Sequence, residues 1–378
     1  MDNTKKTITP RQIMFACAAF VQSSSLLTSF FTGVLRQASW IGVLVGYIIS
    51  IPLILMYYTI LSHHPGKNLV QINELIFGRV AGKIISSLFV LYFFSLVVLN
   101  TNDVPGFIQT YLMPETPATV LAAIFMLVCV FAVRKGIENV LKYGPLFSIF
   151  QLVAVSLFTV LLFKNLNFEN FLPLFDIPAN RFIQGTNTVV SIPLGELFVF
   201  TMIIPNIAID SKIKKSYLTG MTFGAVVMLL IVASDIAVLG GSMEYFFLPR
   251  FEAIRLIDVA DVISRMDTLY ALVLYSLRFF KVGILLYACA LGFSQICGAT
   301  EYKPFVWTIG ILAVMYTVFV FPSSVEALDW GKTTAPIYSG LFVIVLPFII
   351  FISSSIQRAA RKKRLNTSAG KTAARGNA

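Results

Sequence analysis

Charge is what this sequence has least of. Only 12% of its 378 residues are Asp, Glu, Lys or Arg, against about a quarter in an ordinary soluble domain. So few cannot clothe a water-facing surface, which excludes a soluble enzyme, a nucleic-acid-binding domain and a disordered scaffold. Histidine is nearly absent: the two, His63 and His64, are adjacent. There is no His-Glu-x-x-His pattern, no Gly-rich phosphate loop and no Ser/His pair inside an apolar run, so no enzyme activity is expected. Cys17, Cys129, Cys289 and Cys297 are scattered through apolar runs without a Cys-x-x-Cys pair. Neither a zinc site nor a disulfide framework is supported, and no cofactor or metal is expected.

What is present is apolar. Hydrophobic residues make up 57% of the chain, including 34 Phe, and the mean hydropathy is +0.83. A helix needs about 20 apolar residues to cross a hydrocarbon core of about 30 Å. Ten segments qualify: 12–32, 40–61, 84–104, 117–133, 144–164, 186–207, 217–240, 268–298, 304–322 and 336–356. The first is too long for a signal-peptide core and has no convincing cleavage site, so it is expected to be retained. The eighth is long enough to tilt or to project from the bilayer. The reading is an all-α, polytopic membrane protein with one transmembrane domain over 1–357 and a basic tail over 358–378.

Two intervals between spans are amphipathic. Asn68–Gly78 places Leu69, Ile72, Leu75 and Ile76 at helical spacing, and Phe251–Met266 places Ile254, Ile257, Val259, Val262 and Ile263 near one face. Both read as short helices lying on the surface of the membrane domain.

The positive charges orient the chain. With the N-terminus inside, 20 of the 29 Lys and Arg fall on inside segments and 7 outside, while Arg278 and Lys281 lie within a span. Seven of the inside charges form the tail, which suits anionic lipid rather than nucleic acid. Both termini are therefore expected in the cytoplasm.

Ten spans divide into five plus five. A five-helix unit repeated in tandem must take opposite orientations in its two copies, which is the geometry of inverted-repeat transporters, whose first helix in each half is broken at the substrate site. Span 1 carries Gln22, Ser23, Ser24 and Ser25 at its middle, and span 6 carries Ser191, Pro193, Gly195 and Glu196. Hydroxyls can satisfy backbone groups freed by unwinding, and proline removes a donor and clashes with the preceding turn. The alternative is a kinked but continuous helix in each place.

Ionisable groups inside spans are costly and are functional candidates by default. Glu196 could bind a ligand ammonium or brace the first break. Arg278 and Lys281, three apart, share a helix face. Asp267 falls on nearly that face but about 16 Å away by helical rise, too far to pair with Arg278 directly. Snorkelling to the interface is the alternative for both cations. Tyr92 and Ser95 share a face of span 3 and could line a cavity or simply pack. Asn100, Asn102 and Asp103 fall near the end of that span, where solvation is the default. Gly42–Gly46, Gly78–Gly82 and Gly220–Gly224 read as close helix packing.

The stretches ITPRQIMF, ASWIGVLVGY, PLGELFVFTMIIP and LPRFEAIRLIDVADVISRMDTLYALVLYSLRFFKVG resemble the spore germination permease family, the B-type subunits of nutrient germinant receptors. The resemblance runs from about Thr7 to Gln357. Its most specific pieces are the Gly195-Glu196 pair and the Arg-x-Asp ahead of span 8. It implies a ten-helix, leucine-transporter-like fold of the amino acid–polyamine–organocation superfamily. It also implies a small-molecule nutrient, an A-type membrane subunit and a C-type lipoprotein as partners, and the spore inner membrane as location. The ligand site is then expected at Gln22, Ser23, Ser24, Ser25, Tyr92, Ser95, Ser191, Pro193, Gly195 and Glu196. The Lys281 ammonium, with Arg278 beside it, would stand where sodium-coupled relatives hold a cation. One departure is that family members usually carry glycine where this chain has Ser23–Ser25. An amino-acid permease, and a structural subunit with no ligand, are the alternatives.

Overall fold

The computed structural model describes residues 8–174, 176–204, 211–257, 266–321 and 323–360. Among these residues the regular structure is helical throughout, with no strand. The helices are α1 (Pro10–Ser24), α2 (Ser29–Leu35), α3 (Ser39–His63), α4 (Leu69–Phe77), α5 (Arg79–Tyr111), α6 (Ala118–Arg134), α7 (Ile137–Lys142) and α8 (Gly144–Leu161) in the first half. The second half holds α9 (Ala179–Val189), α10 (Ser211–Leu239), α11 (Pro249–Arg255), α12 (Met266–Ile296), α13 (Lys303–Phe319), α14 (Ser324–Thr333) and α15 (Ala335–Gly340). The last continues through a π-helical turn, Leu341–Val345, to give one helix over Ala335–Ala360.

Six helical stretches among the described residues are long and apolar enough to cross a membrane, and α6 and α13 are shorter apolar helices. The protein is a multi-pass membrane protein. Of the long stretches α12 is the most enclosed, with 72% of its apolar window buried against 33% for Ile137–Leu161. A charge on α12 is therefore shielded from lipid by other helices.

Local chemistry sets the ends. Thr9 caps α1 by accepting from Gln12 N at 3.3 Å while Gln12 Oε1 accepts from Thr9 N at 2.8 Å, and Pro10 occupies the first turn, where no donor is needed. Asn68 and Gln71 form the same reciprocal cap on α4. Gly220 and Gly224 lie on α10 where it meets Met14, Cys17, Ala18 and Val21 of α1, so the two helices pack at a distance that a larger residue forbids.

Several expectations change. The first interruption falls at residues 25–28 rather than within Ser23–Ser25. Serine there is stable in the helix: Ser23 and Ser24 end α1, and Ser25 O–H donates to Gln22 O at 2.7 Å. Span 6 begins seven residues earlier than expected, with α9 at Ala179, and its interruption, from Val190, does not unwind into extended chain. It passes into a π-helical turn over Val190–Leu194 and then a 3₁₀ helix over Gly195–Met202. Pro193 removes one ladder donor, and the widened turn takes up the mismatch. Gly78 is not a packing glycine but a turn, with φ 81° and nothing near its missing Cβ.

Leu75 points away from the buried face of α4 at 51% exposure, while Leu69 and Ile72 are buried. α11 ends at Arg255, with Leu256 and Ile257 outside the helix. The rest of that expected amphipathic segment, with Arg265 of the Arg-x-Asp, lies outside the described residues, as do the last residues of span 6 and the tail beyond Ala360. The short helices α7 and α14 were not expected. Ser323 caps α14 by accepting from Glu326 N, a Ser-x-x-Glu signal present in the sequence.

Candidate functional site

Both interruptions deliver side chains to the middle of α12. Lys281, the sixteenth of the 31 residues of α12, reaches between them. Its Nζ donates to Ser24 Oγ at 2.7 Å and to Glu196 Oε2 at 2.5 Å, and lies 4.9 Å from the centroid of the Phe20 ring. Lys281 is 2% exposed and Glu196 3%. One ammonium thus joins the end of α1, the start of the 3₁₀ segment and α12. A buried charge is tolerated when it is paired and its remaining donors are used, and the aromatic face takes up part of what water would supply.

One turn away on α12, Arg278 is buried too. Its Nη1 donates to Asn100 Oδ1 at 2.6 Å and reaches Ser23 Oγ at 3.5 Å. Its Nη2 lies 3.1 Å from Asp103 Oδ2. The snorkelling alternative does not hold for Arg278. One expectation is corrected: Asn100 and Asp103 are not at a solvated helix end. α5 continues to Tyr111, past the expected limit of 104, so their face of the helix looks at α12.

These charges form the base of a cavity of about 320 Å³. Its lining includes Ser24, Leu27, Phe30 and Phe31 around the first interruption, Ile192, Pro193 and Glu196 at the second, α5 from Leu96 to Gln109, Arg278 and Lys281, Phe247 from the connection before α11, and Trp330 from α14. Toward the N-terminal end of α5, beyond the cavity's lining, lies an aromatic layer. Phe198 packs on Tyr57 and Phe89 with ring centroids 4.9 and 5.2 Å apart, and Tyr92 stacks on Phe342 at 4.5 Å. The Tyr57 hydroxyl is positioned between Gly195 O and Val343 O, carbonyls of the two segments that contain π-helical turns.

The residues singled out from the sequence divide accordingly. Ser24, Pro193, Glu196, Arg278 and Lys281 line the cavity. Ser23 touches it only through Arg278. Gln22 and Ser25 are buried away from it, Ser191 contacts Asn187 Oδ1 at 3.3 Å, and Gly195 abuts Val343 so closely that a Cβ would collide with it. Tyr92 belongs to the aromatic layer, and Ser95 bonds Tyr92 O and the Tyr338 hydroxyl. Sequence reading missed Asn100 and Asp103 as partners, and the aromatic walls Phe247 and Trp330. It also missed a further buried ion pair away from the cavity, Asp235 on α10 with Arg250 on α11 at 3.0 Å. A lone aspartate within an apolar span was the available signal.

A family model described as Spore germination protein matches residues 7–327. The chain is 26% identical over 364 residues to Spore germination protein KB of Bacillus subtilis (strain 168), covering 95% of this chain and 97% of that one. It is 21% identical over 342 residues to Spore germination protein B2 of the same organism, covering 87% and 89%. Among solved structures it resembles a substrate-bound, outward-open Na⁺-coupled sialic acid symporter, with TM-score 0.63, 12% identity and coverage of 88% and 79%. It also resembles MhsT in complex with L-phenylalanine, with TM-score 0.59, 14% identity and coverage of 91% and 97%. The fold is that of leucine-transporter-like proteins.

Proposed function

This chain belongs to the spore germination protein family, and we propose on that premise that it is the nutrient-sensing, B-type subunit of a spore germinant receptor. In this reading it lies in the spore inner membrane as ten spans with both termini cytoplasmic. It works with an A-type membrane subunit and a C-type lipoprotein, and its ligand occupies the cavity above Lys281 and Glu196.

The observation that carries this is the composition of the cavity base. Two cations and two carboxylates meet there in two pairs, Lys281 with Glu196 and Arg278 with Asp103. The base is electrically balanced while presenting both signs of charge. Such a site favours a small solute with no net charge and groups of both polarities, as an amino acid has, over a net cation or anion, whose charge would be left uncompensated in a poorly hydrated space. A volume of about 320 Å³ stands at the small end of ligand pockets. A ligand ammonium that competes with Lys281 for Glu196 would loosen the joint between the two interruptions and α12. That converts occupancy into a change of helix packing.

A strain carrying only this receptor, exposed to single nutrients, tests the reading. Glu196→Gln keeps shape and removes charge. Because it also strands the Lys281 ammonium, abundance is expected to fall, and if the carboxylate takes part in recognition the receptor that does assemble needs far more nutrient. Wild-type nutrient dependence in both Glu196→Gln and a Ser24→Leu block would remove sensing from this cavity. Flux of a labelled nutrient into proteoliposomes holding this subunit alone would replace sensing by permease activity.

A further inference from the structure

Among the described residues a further buried ion pair, Asp235 with Arg250, takes no part in the ligand cavity. Asp235 and Arg250 are 0% and 1% exposed. Besides Asp235 Oδ1 at 3.0 Å, Arg250 Nη1 donates to Ser234 Oγ at 2.5 Å. Nη2 reaches Val155 O and Thr159 Oγ1, each at 3.4 Å, and the guanidinium lies 5.8 Å from the Phe158 ring centroid. Arginine's planar fork suits such multiple anchoring. Yet the element that carries it is a seven-residue helix in a connection between α10 and α12, which needs no buried charge to fold.

What the anchor holds lies three residues away. Phe247 lines the ligand cavity. On its N-terminal side Glu244 pairs with Arg36, at the end of α2, at 2.7 Å. On its C-terminal side Phe251 packs against Phe107 of α5 and Tyr270 of α12, with centroids 5.1 and 5.2 Å apart. The Glu244 pair is partly exposed to water and therefore weaker. The Asp235–Arg250 pair is sequestered, so it is the fixed point of the connection.

We propose that the Asp235–Arg250 pair positions Phe247 as a wall of the ligand cavity, which makes Arg250 a positioning residue for ligand recognition that touches no ligand. This rests on the nutrient reading of the cavity. With the anchor in place, the wall is ordered before a ligand arrives. Without it, ordering Phe247 opposes every binding event, so apparent affinity falls and the response at saturation does not.

Removing one partner would strand a buried charge, so the pair is replaced together, as Asp235→Leu with Arg250→Met. In a Cys297→Ser background carrying Leu99→Cys in the cavity wall, a membrane-impermeant maleimide should label the paired variant several-fold faster than its parent. In spores carrying only this receptor, the half-saturating concentration of the most effective single amino acid should rise about tenfold with the maximal germination rate unchanged. Phe247→Ala should do the same, and combining it with the paired change should add nothing. Arg250→Lys, which keeps the charge and loses the fork, should shift the same way by less, and it serves if the paired variant assembles poorly. Labelling at the parental rate, or additive effects of Phe247→Ala and the paired change, overturns the proposal. Faster labelling with unchanged nutrient dependence upholds the positioning of Phe247 and removes the nutrient assignment instead.

Discussion

The ammonium of Lys281 lies 2.5 Å from the carboxylate of Glu196, 85 residues earlier in the chain. Glu196 stands where a π-helical turn has just passed into a 3₁₀ helix, and Lys281 stands at the middle of a regular α-helix. The bond therefore ties the least regular part of the membrane domain to its most enclosed helix. Ser24, on the other interruption, shares the same ammonium at 2.7 Å. Any rearrangement that separates either interruption from α12 must break or exchange this contact.

Breaking it from one side is expected to be costly. Lys281→Met leaves the Glu196 carboxylate buried without its cation, and loss of one partner of a buried pair costs about 3–5 kcal/mol. The double variant Lys281→Met/Glu196→Gln removes both charges and should recover most of that stability while losing nutrient response. Thermal unfolding of the detergent-solubilised protein measures the first effect and germination the second. A double variant no more stable than Lys281→Met would show that the two groups do not act as a pair.

If the Lys281 ammonium serves in place of a coupling cation, germination through this receptor should be the same in sodium-free and sodium-containing media. Lys281→Ala should then lose the response in both. A wild-type response that needs sodium would end this assignment, whatever the variant does.

Orientation can be read by labelling. Ser242 is exposed just beyond α10, on the face expected outside from the distribution of Lys and Arg. Ser242→Cys should react with an impermeant reagent in intact cells, whereas Ser368→Cys in the tail should react only after the membrane is opened. The opposite pattern would invert the topology.

Near the other end of the molecule, His64 Nε2 and His63 Nδ1 each lie 2.9 Å from the Ser354 hydroxyl. Burial, then the neighbouring His63 and Lys67, hold His64 below its ordinary pKa of 6.5. The folded state thus binds the proton less readily than the unfolded chain. Its contribution to stability is fully present above about pH 6.5 and is lost as the pH falls through the lowered folded value. Thermal stability should decline as the pH falls below about 6.5, and His64→Gln should flatten that decline. An identical slope in the variant would locate the pH dependence elsewhere.

Packing gives a last expectation. A Cβ at Gly220 would collide with the backbone of Met14, and one at Gly224 with Val21. Gly220→Val should force α10 from α1 and cost about 1–3 kcal/mol or more, seen as reduced abundance. Normal abundance would mean that the two helices can separate without consequence.

By itself the sequence determined the properties that belong to single segments. Apolar runs and scarce charge made this a membrane protein, because transfer of a segment to lipid depends on its own composition. Pro193 and the run Gln22–Ser25 marked, to within a few residues, the two interruptions that meet Lys281, because proline acts on its own turn and a polar run inside a span stands out against its own surroundings, whereas nothing in the sequence marked the π-helical turn at Leu341–Val345. Glu196, Arg278 and Lys281 stood out because each is costly in a span wherever its partner lies. Only the tertiary structure decided the partners. Asn100 and Arg278 are 178 residues apart, and nothing local distinguishes an Asn and an Asp near a helix end in water from the same two facing α12. Tertiary packing also set the Tyr57 hydroxyl, with one proton to donate, between carbonyls of two different segments, Gly195 O and Val343 O. It turned an arginine of an interhelical connection inward as well, where Asp235 awaited it, because pairing two distant charges in a closed interior depends on every helix between them being in place.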